Sequence, residues 1–174
     1  MSVGGAFSGQ AGENSSFKWG MFDQTVTAIE MVLADGTIED SSKEGDENVL
    51  QHAAGAFGTL GVVTRLSITL IDAPKSIELT YHRTSSVEYA SDKLTELMAN
   101  DRIEYLHGII YAPDKIVVMA GKPKQDLASG QRIQTLTRRA DPWFYLHAGA
   151  QCDSYGEDKG AVAISIPLID YLFR

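Results

Sequence analysis

Cysteine is almost absent: Cys152 is the one thiol in 174 residues. An intrachain disulfide is therefore excluded, and a reducing, cytoplasmic setting is the default expectation. Cys152 has no base placed beside it by sequence, so it reads as a structural thiol rather than a nucleophile. Positive charge is short, with Lys+Arg 15 against Asp+Glu 23 and a formal net charge of −8. That balance disfavours nucleic acid and anionic membrane surfaces, and Arg138-Arg139 is the lone basic pair. No charge-free apolar run reaches the roughly 20 residues of a membrane span; Ala53–Thr64 and Ala161–Leu168 are too short. The N-terminus lacks the basic region and apolar core of a signal peptide. The four histidines, His52, His82, His107 and His147, do not combine with Cys or carboxylate at ligand spacing, so no metal site is expected. Ser8 and Ser165 do not sit in a G-x-S-x-G elbow, which leaves a hydrolase triad without support.

Glycine, by contrast, is plentiful and clustered. Gly4, Gly5, Gly9 and Gly12 precede Glu13, Asn14, Ser15 and Ser16, and a second group follows at Gly58-Thr59-Leu60-Gly61-Val62-Val63-Thr64. Without a Cβ, glycine lets main-chain N–H groups approach a pyrophosphate or a ring edge. The first group is neither a Rossmann G-x-G-x-x-G nor a P-loop, because no strand precedes it and Lys-Ser or Lys-Thr is missing. Both groups read as turns that present backbone to a cofactor, with a glycine-rich surface loop as the alternative.

Hydrophobic patterning organises the remainder. Thr25–Ala34 reads as a strand turned at Asp35-Gly36 into a second, Thr37–Glu39. Ser41–Gly45 reads as a polar loop, with Asp46 capping a helix that runs to Gly55. Residues 62–71 alternate as a half-buried strand, apolar at 66, 68 and 70, closed by Ala73-Pro74. A boundary near Pro74 divides the sequence into residues 1–74 and 75–174. Beyond it come a strand at Ile77–His82 and a helix at Ser86–Asn100. Two strands, Tyr105–Tyr111 and Lys115–Ala120, follow about Pro113-Asp114, then a loop at Lys122–Gly130. A helix opens at Asp141-Pro142-Trp143-Phe144, and the last strand is Ala161–Leu168. The β-α-β-β order predicts an α+β fold, an antiparallel sheet with its helices on one face. Trp143-Phe144-Tyr145 is expected in packing, and His107 either on a sheet face or in a substrate pocket. The abrupt ends lead us to expect part of a longer protein.

The ordered set Gly4-Gly5-x-x-x-Gly9-x-x-x-Glu13-x-Ser15-Ser16-x-Lys18-Trp19-Gly20-x-Phe22, with Val32-Leu33-Ala34-Asp35-Gly36, resembles the vanillyl-alcohol oxidase and p-cresol methylhydroxylase (PCMH-type) flavoproteins. Within them the resemblance is nearest to sterol delta-24 reductases of the Diminuto type. Gly58-Thr59-Leu60-Gly61, Ile109-Ile110-Tyr111, Pro142-Trp143-Phe144 and Ile166-Pro167-Leu168 followed by Asp170-Tyr171 extend it over nearly the whole sequence.

The resemblance implies that residues 1–74 form the C-terminal half of an FAD-binding domain, and 75–174 the start of a substrate or cap domain. It implies that Gly4, Gly5, Gly9, Gly12, Glu13, Ser15, Ser16, Gly58, Gly61 and the main chain of Val62 approach FAD. The implied activity is reduction of an isolated carbon–carbon double bond in the side chain of a sterol, with NADPH as reductant. An FAD-linked oxidase of an alcohol, sugar or hydroxy acid using O₂, and a truncated non-catalytic paralogue, are the alternatives. No catalytic residue is assigned; His107 and Tyr111 are pocket candidates. The implied N-terminal FAD subdomain and the membrane-anchoring segment of endoplasmic-reticulum reductases have no counterpart in these residues. Ile169 departs from a basic or polar family position.

Overall fold

The computed structural model describes residues 1–45, 48–126, 133–154 and 162–174, with Val162 described by its backbone alone. The fold is α+β, with two antiparallel sheets in two compact units, Met1–Ile71 and Asp72–Arg174.

In the first unit, helices α1 (Val3–Ser8) and α2 (Ser16–Trp19) and a 3-10 turn (Phe22–Thr25) lead into β1 (Val26–Leu33). Strands β2 (Ile38–Ser42) and β3 (Gly61–Ile68) flank β1, giving the order β2-β1-β3, and α3 (Asn48–Ala53) lies between them in sequence. The Asp35-Gly36 turn forms as expected: Gly36 takes φ +85 and its N–H donates to the Leu33 carbonyl at 3.0 Å. Phe7, Val26, Ile29, Met31, Leu50 and Ala53 make the core. A bulge pairs Glu30 with Arg65 but Met31 with Val63, leaving Thr64 as the extra residue. The bulge explains why Val63 and Leu66, three apart, both pack inward. On the outer face Arg65 bridges Asp40 at 2.7 Å and Glu30 at 3.4 Å.

Three local expectations change here. Gly4 and Gly5 are helical rather than in a turn, because Ser2 caps α1 through its hydroxyl. Ser41 belongs to β2 and is buried, so the polar loop starts two residues later than expected. The Asp46 cap lies outside the described residues, and the Ser41 hydroxyl accepts the Leu50 N–H at 3.0 Å from the neighbouring strand. β3 stops at Ile68, leaving Leu70 exposed.

The second unit contains β4 (Ser76–Thr84), α4 (Val87–Met98), β5 (Tyr105–Ala112), β6 (Lys115–Lys124), α5 (Phe144–Ser154), β7 (Val162–Pro167) and α6 (Leu168–Leu172). Its sheet runs β5-β6-β4-β7. The helices occupy both faces, correcting the single-face expectation. Val117 and Met119 join Ile77, Leu79, Tyr81 and the α5 residues Ala148 and Cys152 in one core, while Ile116 and Val118 face Ala90 and Leu94 of α4. Strand β6 carries an unbroken apolar run, Ile116–Ala120, and such runs mark strands covered on both sides.

β6 also continues through Lys124, into the stretch expected as a loop; residues 127–130 of that stretch lie outside the described residues, as does Ala161. Pro142 precedes α5 rather than opening it, and Trp143 and Tyr145 are exposed, so only Phe144 packs against the core. Asp170 ties the 136–137 segment to α6, accepting from the N–H groups of Leu136 (2.8 Å) and Thr137 (3.1 Å) and the Thr137 hydroxyl (2.8 Å). No described helix is long and apolar enough to cross a membrane.

Candidate functional site

The two glycine groups meet in the first unit. The Gly55 N–H donates to the Phe7 carbonyl at 3.2 Å and the Phe57 N–H to the Ser8 carbonyl at 3.0 Å, stitching the 55–58 turn to the end of α1. A cleft of about 300 Å³ opens beside this seam, lined by Gly4, Ser8, Phe57, Gly58, Gly61, Val62 and Val63. That volume is at the lower end for small-molecule pockets, enough for one portion of a dinucleotide.

The glycines of the cleft are there for different reasons. A Cβ at Gly4 would meet nothing within 4 Å, so its absence leaves a stretch of helix backbone open to an incoming group. Gly58 holds φ +78, a left-handed conformation that side chains resist. At Gly61 a Cβ would fall 2.5 Å from the Val32 carbonyl oxygen, so that glycine is demanded by close strand packing.

The other candidates lie outside the lining. Gly5 sits on α1, but its N–H is taken by the Ser2 hydroxyl at 3.1 Å. Gly9 ends α1, and a Cβ there would stand 3.0 Å from the Gly5 carbonyl oxygen. Gly12 packs against the Met21 side chain, 3.1 Å from where its Cβ would be. The Glu13 N–H donates to the Ser16 hydroxyl at 2.8 Å, and Ser15 heads α2 with its carbonyl accepting from Lys18 and Trp19. Their hydrogen bonds serve the local backbone.

Sequence reasoning missed Phe57. It adopts φ +51, between Gly55 at +72 and Gly58 at +78, and the residue is 79% exposed at the cleft. A bulky residue in left-handed backbone costs on the order of 1 kcal/mol, and such strain gathers at ligand sites. The signal was the Gly-Ala-Phe-Gly spacing, in which an aromatic interrupts a glycine turn. A second cavity, about 560 Å³, also escaped notice: Met31, Leu33, Val49 and Leu60 give it an apolar floor, with Asp35, Asn48 and His52 around them. The Thr37 N–H, donating at 2.9 Å, holds the Asp35 carboxyl below its ordinary range.

In the second unit, His107 lies edge-on to Phe144, with ring centroids 5.6 Å apart, and burial aided by the Arg174 charge pushes its imidazole down to about 4. It is neutral at pH 7. Arg174 stacks on Phe144 at 4.4 Å and Tyr171 at 3.8 Å. The Tyr111 hydroxyl donates to the Tyr145 carbonyl, and burial, with the charges of Cys152 and Asp153, pushes the phenol up to about 12. Cys152 is buried and its thiol is raised by that burial, opposite to what a nucleophile needs. Among the described residues no three His, Cys, Asp or Glu side chains gather to hold a metal ion.

No family model matches the sequence. Curated proteins do. It is 29% identical over 174 residues to the delta(24)-sterol reductase of Homo sapiens, with 100% of this chain and 33% of the reductase covered. With the delta(24)-sterol reductase of Pisum sativum it shares 28% identity over 188 aligned positions, covering 100% of this chain and 32% of the relative. A part amounting to 63% of its length is 26% identical to cytokinin dehydrogenase 4 of Oryza sativa subsp. japonica, covering 21% of that protein. The protein thus spans about a third of the length of the reductases it matches. With a reductase match along its full length and a dehydrogenase match along part of it, this protein is a relative of the Diminuto-like delta(24)-sterol reductases, an oxidoreductase family.

Proposed function

We propose that residues 1–74 are part of a PCMH-type FAD-binding domain and residues 75–174 part of the substrate domain of an FAD-dependent, sterol-reductase-like enzyme. The observation that carries this reading is the seam between Ser8 and Phe57, which draws Gly4 and the Gly58–Val63 segment around one cleft. The residues fit a flavin nucleotide there. Gly4 leaves backbone uncovered, Val62 adds apolar surface, and Phe57 offers a flat face to a ring.

Gly5, Gly9, Gly12, Glu13, Ser15 and Ser16 then act by shaping α1 and α2 behind the cleft. When bound, the flavin would supply the hydride that reduces a carbon–carbon double bond. The protein's own contribution is to hold the cofactor and exclude water at its apolar rim. The proposed electron source is NADPH, the proposed substrate a sterol side chain, and membrane association at the endoplasmic reticulum is carried over from the full-length relatives.

A second reading, an FAD-linked oxidase or dehydrogenase of a different substrate, is favoured by the partial similarity to cytokinin dehydrogenase 4. Adding FAD to the purified protein and recording its visible spectrum tests both. A bound flavin band bleached anaerobically by NADPH supports the reductase, bleaching by an alcohol with peroxide release on re-oxidation supports the oxidase, and no bound flavin overturns the cleft as a flavin site in this protein.

A further inference from the structure

At the junction of β4 and α4, far along the sequence from the glycine cleft, a cavity of about 300 Å³ is lined by Arg83, Thr84, Ser85, Tyr89 and Lys93. Every one of these side chains can donate a hydrogen bond, two are cations, and none is a carboxylate. In a protein of net charge −8 such a lining runs against the average composition. Arg83 has no ion pair among the described residues. Lys93 is held by Glu96 at 2.5 Å, so its ammonium is shared and Arg83 is the stronger anchor.

Thr84 is the second, independent sign. It is 7% exposed, forms part of the cavity wall, and its hydroxyl has no hydrogen-bond partner. Buried hydroxyls are rarely left so, because an unmade hydrogen bond there is costly. The N-terminal end of α4 borders the same place: Ser86 caps it by accepting the Tyr89 N–H at 3.2 Å, and the aligned peptide dipoles add positive potential. His82, on the adjoining stretch of β4, is lowered by burial and then by the charge of Lys93, in keeping with a cationic surround.

We infer that this cavity binds the phosphate group of a small molecule, with Arg83 and Lys93 supplying charge and the Thr84 and Ser85 hydroxyls supplying hydrogen bonds. Tyr89, its ring largely exposed, offers a face to an organic group attached to the phosphate. A polynucleotide is disfavoured by the overall negative charge.

The test is a titration of the 174-residue protein with inorganic phosphate and with phenyl phosphate, at constant ionic strength with chloride as control, followed through the amide signals of Thr84, Ser85 and Tyr89 by NMR. Saturable shifts are expected with both probes. R83Q should weaken them at least tenfold, and K93Q severalfold. T84V should weaken binding about threefold while leaving the melting temperature unchanged or higher, since it removes a hydroxyl that has no partner. Tighter binding of phenyl phosphate than phosphate points to an organic phosphate, equal binding to free phosphate. Shifts that do not saturate, that chloride reproduces, or that survive R83Q and K93Q together overturn the inference. So does a T84V protein that melts lower, which would make the hydroxyl a structural group.

Discussion

Replacing Gly4 by alanine separates the two uses of glycine at the cleft. The new methyl group meets nothing within 4 Å, and the residue lies inside α1. Alanine relieves the backbone entropy that glycine loses in a helix, a gain of roughly 0.5–1 kcal/mol. For a unit of this size that is a rise of roughly 2–8 °C in melting temperature. The same substitution at Gly61 drives a methyl to 2.5 Å from the Val32 carbonyl oxygen and 2.9 Å from Met31 Cγ. Both belong to β1, whose Leu33 pairs with Gly61, so neither can retreat without disturbing the register. The cost falls at the upper end of the roughly 1–3 kcal/mol typical of overpacking. Thermal melts followed by circular dichroism, paired with an FAD titration, read both. G4A should melt higher and bind flavin more weakly; G61A should melt lower. A G4A protein that melts lower than the parent refutes the open-space argument, and one that melts higher yet binds flavin equally well removes Gly4 from the ligand's path.

F57G should likewise stabilise, by about 1 kcal/mol, because it places glycine where φ is +51; a loss of stability in a thermal melt would show that the ring supports the fold instead of a ligand. His107 is held near 4 in the folded protein against 6.5 when exposed, so between those values the unfolded state binds the extra proton and stability falls as the pH drops. The penalty is on the order of 2–3 kcal/mol by pH 4, and denaturant melts of H107Q should show a flatter acid limb than the parent; identical limbs would refute it. S41A should cost about 1 kcal/mol, since it leaves the Leu50 N–H without its acceptor, and a urea melt unchanged by S41A would contradict that assignment.

The strands were legible because their signals are local: alternation marks β3, and Asp35-Gly36 marks the first hairpin. The two-sided burial of β6 was also written in its apolar run, whereas the β-α-β-β order, from which a single covered face was expected, says nothing about which face a helix covers. The first glycine group misled for a different reason. Gly4 and Gly5 depress helix propensity, yet Ser2 as cap and the fully buried Phe7 as anchor outweigh them. Of the site, the pairing of the two glycine groups could be anticipated. Phe57 could not, because its importance rests on a dihedral angle rather than a residue type. The hydrogen bonds that occupy Gly5, Glu13 and Ser16 are equally invisible until the backbone is folded.

The hydroxyl of Ser41 has a consequence for how this unit opens. Helix α3 is six residues long, too short to persist alone, and an acceptor for one of its early N–H groups comes from strand β2. Detaching β2 from β1 therefore unwinds α3 in the same event. Amide protons of Leu50 and of the β2 strand should exchange with solvent at matched rates, as one cooperative block. Because Asn48, Val49 and His52 ride on that block, the 560 Å³ cavity they border would be erased whenever it opens. Any molecule seated there would act as a latch on the hairpin, slowing exchange at residues it never touches.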